Sequence, residues 1–162
     1  MRPAVYATIV VALLTSSANA SDVQRLASAL EDGVYATAPA DDATAEGDCV
    51  QARNRRVCLV ASDRVLFSGN IVNVRPADDP DVRGRYVVQV QLSQRAAEIF
   101  EDLTTRNVGK EIAVVVDGAV VTSPTVYEPI ASGDFQIEGD FSGKEANEIA
   151  VTLRRDLVVH RT

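Results

Sequence analysis

The only imidazole in this 162-residue chain is His160. A Ser-His-Asp relay would have to use it. It stands almost at the C-terminal end, where frayed backbone does not hold a base within hydrogen-bond reach of a nucleophile. Residues 139–145 read GDFSGKE and match a phosphate loop only in part. Glu138 stands at the first required Gly, and Glu145 replaces the Ser or Thr that would hold magnesium. Residues 79–84, DPDVRG, start like a calcium loop, but Arg83 takes a ligand position and Val90 the bidentate Glu position. The Asp41-Asp42 pair lacks the apolar surroundings that raise a carboxyl pKa. These residues give no catalytic site, no metal site and no cofactor, so the expectation is a protein that is not an enzyme.

The chain's two cysteines, Cys49 and Cys58, have chemistry that depends on compartment. Arg2 precedes an apolar run at residues 5–14, and Ala18-Asn19-Ala20 offers a small-x-small cleavage site. That is the pattern of a secretory signal peptide, cut after Ala20. A membrane anchor needs about 20 apolar residues, more than this run supplies. The mature chain is thus expected in the periplasm or outside the cell, with no membrane span. Oxidising conditions there favour a Cys49–Cys58 bridge pinning the base of a hairpin. Zinc would need two further thiols or imidazoles. Arg53, Arg55 and Arg56 fall inside that hairpin. They offer either a contact for an anionic partner or a solvated turn.

The charge balance is 16 basic against 23 acidic residues. Binding nucleic acid or anionic lipid calls for a basic face that displaces counterions, and this acidic balance argues against one, so neither partner is expected. With 46% hydrophobic and 24% charged residues it is an ordinary globular sequence.

The elements that position these residues follow from periodicity. After residues 1–20, Val23, Leu26, Ala27 and Leu30 make a short helical stripe, and residues 39–48 read as an acidic linker. Residues 21–48 are therefore assigned to an N-terminal extension and 49–162 to the main domain. Short strands are expected at residues 57–61, 65–67 and 71–74, with a turn-rich loop at 76–84. Tyr86, Val88, Val90 and Leu92 alternate with Gln89 and Gln91, the mark of a half-buried strand. Ser93 caps a helix with the stripe Ala96, Ile99, Phe100 and Leu103. Residues 112–116 and 119–122 flank Asp117-Gly118, a hairpin signal. Pro124 and Pro129 bracket an extended segment near a sheet edge. Phe135 and Ile137 mark another strand. Ser142 and Glu145 form a capping box, with Phe141 stapled onto Ala146. Ala146, Ile149, Ala150 and Leu153 form that helix's stripe, and residues 157–159 a closing strand. The order from Arg85 is β-α-β-β-(β)-α-β. This predicts an α+β fold: a split βαβ, ferredoxin-like sheet with two helices on one face, preceded by the extension and the disulfide hairpin.

Four stretches in register carry a family resemblance. They are Phe100-Glu101-Asp102-Leu103-Thr104 with Asn107 and Gly109-Lys110; Ile112 through Gly118 followed by Val121-Thr122-Ser123-Pro124; Ile130-Ala131-Ser132-Gly133 leading to Ile137-Glu138-Gly139 and Phe141-Ser142; and Glu145-Ala146 with Ala150 and Leu153. Residues 88–153 resemble the periplasmic P1 head subdomain of the SecD and SecDF protein-export family. Arg154-Arg155-Asp156-Leu157-Val158 replaces the family's Gly-x-Leu-Pro segment. The family's base subdomain and membrane helices are not in this sequence, so it is read as a stand-alone secreted form. The resemblance implies a binding role: contact with an unfolded polypeptide or an envelope protein, linked to export. The alternatives are a small-ligand-binding or structural envelope protein, or a hydrolase with an unrecognised site. The sequence does not fix an oligomeric state.

Overall fold

In the computed structural model, the described residues are 30–39, 48–52 and 55–157. The segment expected to be a signal peptide, the expected stripe before Leu30, most of the expected acidic linker, Arg53, residues 158–159 and His160 lie outside them. The elements are β1 (Gly33–Ala38), β2 (Asp48–Ala52), β3 (Arg55–Leu66), β4 (Ile71–Asp78), β5 (Tyr86–Leu92), α1 (Gln94–Arg106), β6 (Ile112–Val116), β7 (Ala119–Thr122), β8 (Asp134–Phe141) and α2 (Gly143–Leu153), with a closing 3-10 turn at Arg154–Asp156.

The single ferredoxin-like sheet expected from this order is not formed. The strands divide into a five-stranded sheet, β2-β3-β1-β6-β7, and a three-stranded sheet, β4-β5-β8. Helix α1 therefore connects strands of different sheets. The cause is β1. Gly33–Ala38, assigned from sequence to the N-terminal extension, forms the middle strand of the larger sheet. It pairs antiparallel with β3 on one edge and β6 on the other, so the edge of β6 is taken and β6 does not pair with β5. Gly33, Ala36 and Ala38 are poor strand formers and hide the alternation that Val34 and Tyr35 carry.

Two apolar cores result. The larger lies between the sheets and the helices. Val34, Ile112, Val114 and Val116 enter it from the five-stranded sheet. Val74, Val88, Val90 and Ile137 enter from the three-stranded sheet; Phe100 and Leu103 from α1; Ala146, Ala150 and Leu153 from α2. The smaller core gathers Tyr35, Val57, Leu59, Ala113 and Val115, with Val50, Ala52, Leu66 and Val120 against them. These side chains share the opposite face of the five-stranded sheet. That sheet curls until its outer strands, β2 and β7, approach one another, and the concave face closes over them. A sheet with both faces covered reads as a continuous apolar run, which is why Ile112–Val116 is buried throughout.

Local chemistry fixes the joints. Ser93 accepts the Ala96 N–H at the start of α1. At α2, Ser142 and Glu145 complete the capping box, and Phe141 and Ala146 are buried in one cluster. Asp117 (φ 53°) and Gly118 (φ 74°) take the positive φ angles of a two-residue hairpin. Pro76 falls inside β4 rather than in the loop expected there. It is tolerated because β4 is an outer strand. Ile99, placed in the α1 stripe from sequence, is 43% exposed. Ala97 and Thr104 are buried instead, so the stripe is rotated toward β3.

Cys49 and Cys58 face each other across β2 and β3 and are joined by a disulfide. Loop-closure entropy for so short a ring contributes roughly 2–3 kcal/mol. The bridge holds the outer strand on which the curl depends.

Two stability measurements follow from this packing. In urea titrations Phe100→Ala is expected to destabilise the fold by about 3–5 kcal/mol, since the ring is buried. Ile99→Ala is expected to cost less than about 1 kcal/mol. Comparable losses would contradict the helix orientation. The second concerns Asp32, whose carboxylate accepts the Asp117 N–H at 2.6 Å. Burial raises its pKa above the ordinary 3.8, opposed by the backbone hydrogen bonds and reinforced by nearby Asp156. A raised carboxyl pKa favours folding below the unfolded value and loses that contribution as pH rises through the folded one. The stability of Asp32→Asn relative to the parent should therefore be greater at pH 7 than at pH 4. An unchanged difference across that range would exclude the assignment.

Candidate functional site

The segment at residues 124–130, bracketed by two prolines, arches from β7 toward β8. It is tied down from three directions. Ile112 N–H donates to Pro124 O at 3.0 Å, and Val126 N–H to Lys110 O at 2.9 Å. Gly109 N–H donates to Val126 O at 2.8 Å. Farther on, Ile130 N–H donates to the Thr104 hydroxyl of α1 at 3.0 Å, and that hydroxyl donates to Phe100 O at 2.8 Å. Thr104 is fully buried and links helix to segment. The chain then re-enters β8 through Gly133, whose O accepts the Leu92 N–H at 3.0 Å. A Cβ at Gly133 would stand 2.5 Å from the Ala97 Cβ, at a φ of +70°. Only glycine fits there.

Between this segment, β6 and β8 lies a cleft of about 570 Å³. Val34, Ile112, Val114 and Phe100 form its floor, and Val126 and Phe135 its walls. Phe135 tilts against Phe100 at 4.9 Å between ring centroids and stacks near Phe67 at 6.3 Å. Tyr127 stands at the rim, 88% exposed. β8 is an outer strand, hydrogen-bonded as a ladder to β5 alone, so its other edge is available at the cleft. The arrangement suits noncovalent binding of an apolar, extended ligand. Among the described residues there is no group of three His, Cys, Asp or Glu placed to hold a metal, and no free thiol.

Arg55 and Arg56 lie in the β2–β3 hairpin beside its turn, opposite Ala52 and Gln51. Arg55 and Arg56 open β3 rather than a turn. Arg55 is held by Glu111 at 2.7 Å. With Lys110 the two line a hollow of about 520 Å³ beside Thr37 and Glu111. The structure does not bring them to the cleft. Nor does the sequence single out the cleft's floor as a site, because Val34, Ile112 and Val114 read as ordinary strand residues. Its one legible signal is the Pro124–Pro129 bracket.

Residues 41–157 match the family model of the SecDF P1 head subdomain. The chain belongs to this family. It is 47% identical over 74 residues to the protein translocase subunit SecD of Acidaminococcus fermentans, covering 46% of the chain and 18% of that relative. Against SecD of Rickettsia bellii it is 30% identical over 125 residues, covering 77% of the chain and 23% of the relative. The SecDF head thus spans about a fifth of the length of these relatives. A solved structure of SecDF, described as a membrane component that enhances protein export, shares the fold at a TM-score of 0.55 and 24% identity. It covers 89% of this chain and 72% of that one. Among the described residues of this head, no helix is long and apolar enough to cross a membrane.

The Thr104 tie is open to test. Thr104→Val keeps the shape but removes the acceptor for Ile130 N–H, leaving a donor unsatisfied at a cost of about 1–3 kcal/mol. Hydrogen exchange at the Ile130 amide should accelerate while the β6 amides keep their protection. Unchanged exchange at Ile130 would show that the segment is held without Thr104.

Proposed function

We propose that this chain is a periplasmic, non-enzymatic domain of the protein-export apparatus that holds an extended stretch of polypeptide in the cleft beside β8. The observation that carries the reading is the apolar cleft opening beside a strand edge that no other described strand pairs as a ladder. Apolar side chains of a passing segment enter over Phe100 and Phe135. Its backbone adds to the free N–H and C=O groups of β8, the mode in which main-chain hydrogen bonds give affinity and alternate pockets give selectivity. A folded protein keeps most such segments paired within itself, so the cleft favours the extended, unfolded conformation. Family membership supports a connection to export, and the secretory signal pattern at residues 1–20 supports the compartment.

Affinity for one segment is modest, because ordering a flexible chain offsets much of the gain from a small preformed surface. Fluorescence anisotropy with one exported protein in unfolded and native forms tests the reading. Binding in the micromolar range is expected for the unfolded form alone. Tyr127→Ala at the rim should weaken it by about twofold to fivefold, since Tyr is enriched among the side chains that carry binding energy while rim positions contribute less than central ones. Equal affinity for both forms, or no binding to either, would refute polypeptide capture.

A further inference from the structure

Arg75 lines a separate hollow beside Asp134 and Gln136, but the charged residues that line the cleft are all acidic. Glu128, Asp134 and Glu138 line it, and no Lys or Arg does. All three are exposed. Glu31, Asp63, Glu111, Asp140 and Glu148 each have a basic partner. The three carboxylates at the mouth are in no ion pair among the described residues. Like charges beside low-dielectric apolar walls focus a negative potential outward. Tyr127, 88% exposed at the same rim, presents an aromatic face to which cations are attracted.

Register sharpens the chemistry. Side chains alternate along a strand. In β8, Phe135 and Ile137 turn to the core, while Asp134, Gln136 and Glu138 share the exposed face. Gln136 lies opposite Gln89, and Asp134 opposite Gln91, on the neighbouring strand β5. A strand added to the free edge of β8 would repeat this alternation. One of its side chains would enter the cleft beside Phe135, and a second would face the strand over Ile137, which is itself buried in the core. Three would stand outside, opposite Asp134, Gln136 and Glu138.

We propose that the cleft selects extended polypeptide segments with apolar residues at alternate positions and Lys or Arg four residues apart, paired across the strand with Asp134 and Glu138. This rests on the polypeptide-capture reading and adds to it a class of segment. The occupant follows from charge complementarity: the floor takes uncharged side chains and the mouth takes cations.

The experiment uses the full chain and three labelled peptides built on Lys-Leu-Gln-Leu-Lys, Gln-Leu-Gln-Leu-Gln and Glu-Leu-Gln-Leu-Glu, read by fluorescence anisotropy. Opposite charges paired across strands favour the Lys peptide over the Gln peptide by about threefold to tenfold, with the Glu peptide weakest. That order should collapse in about 1 M salt, where the screening length is about 3 Å. It should also collapse in the exposed double variant D134N/E138Q at low salt. If the Lys and Gln peptides bind equally well, charge selection is wrong and polypeptide capture stands. If no peptide binds, capture itself fails. A Lys preference that persists in the double variant overturns the assignment to Asp134 and Glu138.

Discussion

Gly33–Ala38 is hydrogen-bonded along both edges, to β3 on one side and β6 on the other. This double pairing lets one short strand serve two apolar cores. Val34 faces the larger core and Tyr35 the smaller. Without β1, strands β3 and β6 would have no common neighbour, and the five-stranded sheet would fall into two hairpins. Two-stranded hairpins are marginal in water. Tyr35 shows how tightly the inner face is sealed. Its hydroxyl donates to Glu31 O at 2.8 Å, and Arg64 lies over its ring. Burial pushes its pKa above the ordinary phenol value.

The cleft is a by-product of keeping two sheets instead of one. Where β6 and β8 diverge, the floor is made by core side chains that a continuous sheet would have covered. Helix α1 sets the spacing. Its C-terminal end is anchored to β3 through Asp63, which accepts from Arg106 at 2.7 Å and from Asn107 at 3.1 Å. Its middle holds the 124–130 segment through Thr104. One helix thus registers the larger sheet against the segment that roofs the cleft.

The sequence shows clearly those parts whose signals are local. The Ser93 and Ser142 caps, the Asp117-Gly118 turn, the alternation in β5 and the Cys49–Cys58 hairpin all have short-range chemical causes, and the structure places each where its residues indicate. What it hides is non-local. Nothing in Gly33–Ala38 announces a central strand, because its apolar character is split between two cores and diluted by alanine. Ile99 and Phe100 are adjacent and both apolar, and only the position of β3 decides which one is buried. The cleft is harder still. Its residues come from β1, α1, β6 and β8, and no spacing in the chain reveals that they converge. Arg55 and Arg56, conspicuous in sequence, are not among its lining residues.

The outer strands are not equally protected. β2 is stapled by its disulfide and leans toward β7, so these two shield each other. β4 contains Pro76, which brings no N–H to the edge, and Leu157 bridges to its first residue, Ile71. Edge-to-edge pairing between copies is the ordinary hazard of such strands, and among the described outer strands β8 has neither a proline nor a disulfide against it. Self-association by that route would thus occupy the same edge that the proposed binding of an extended segment uses. The acidic side chains along β8 oppose such pairing by mutual repulsion between identical edges.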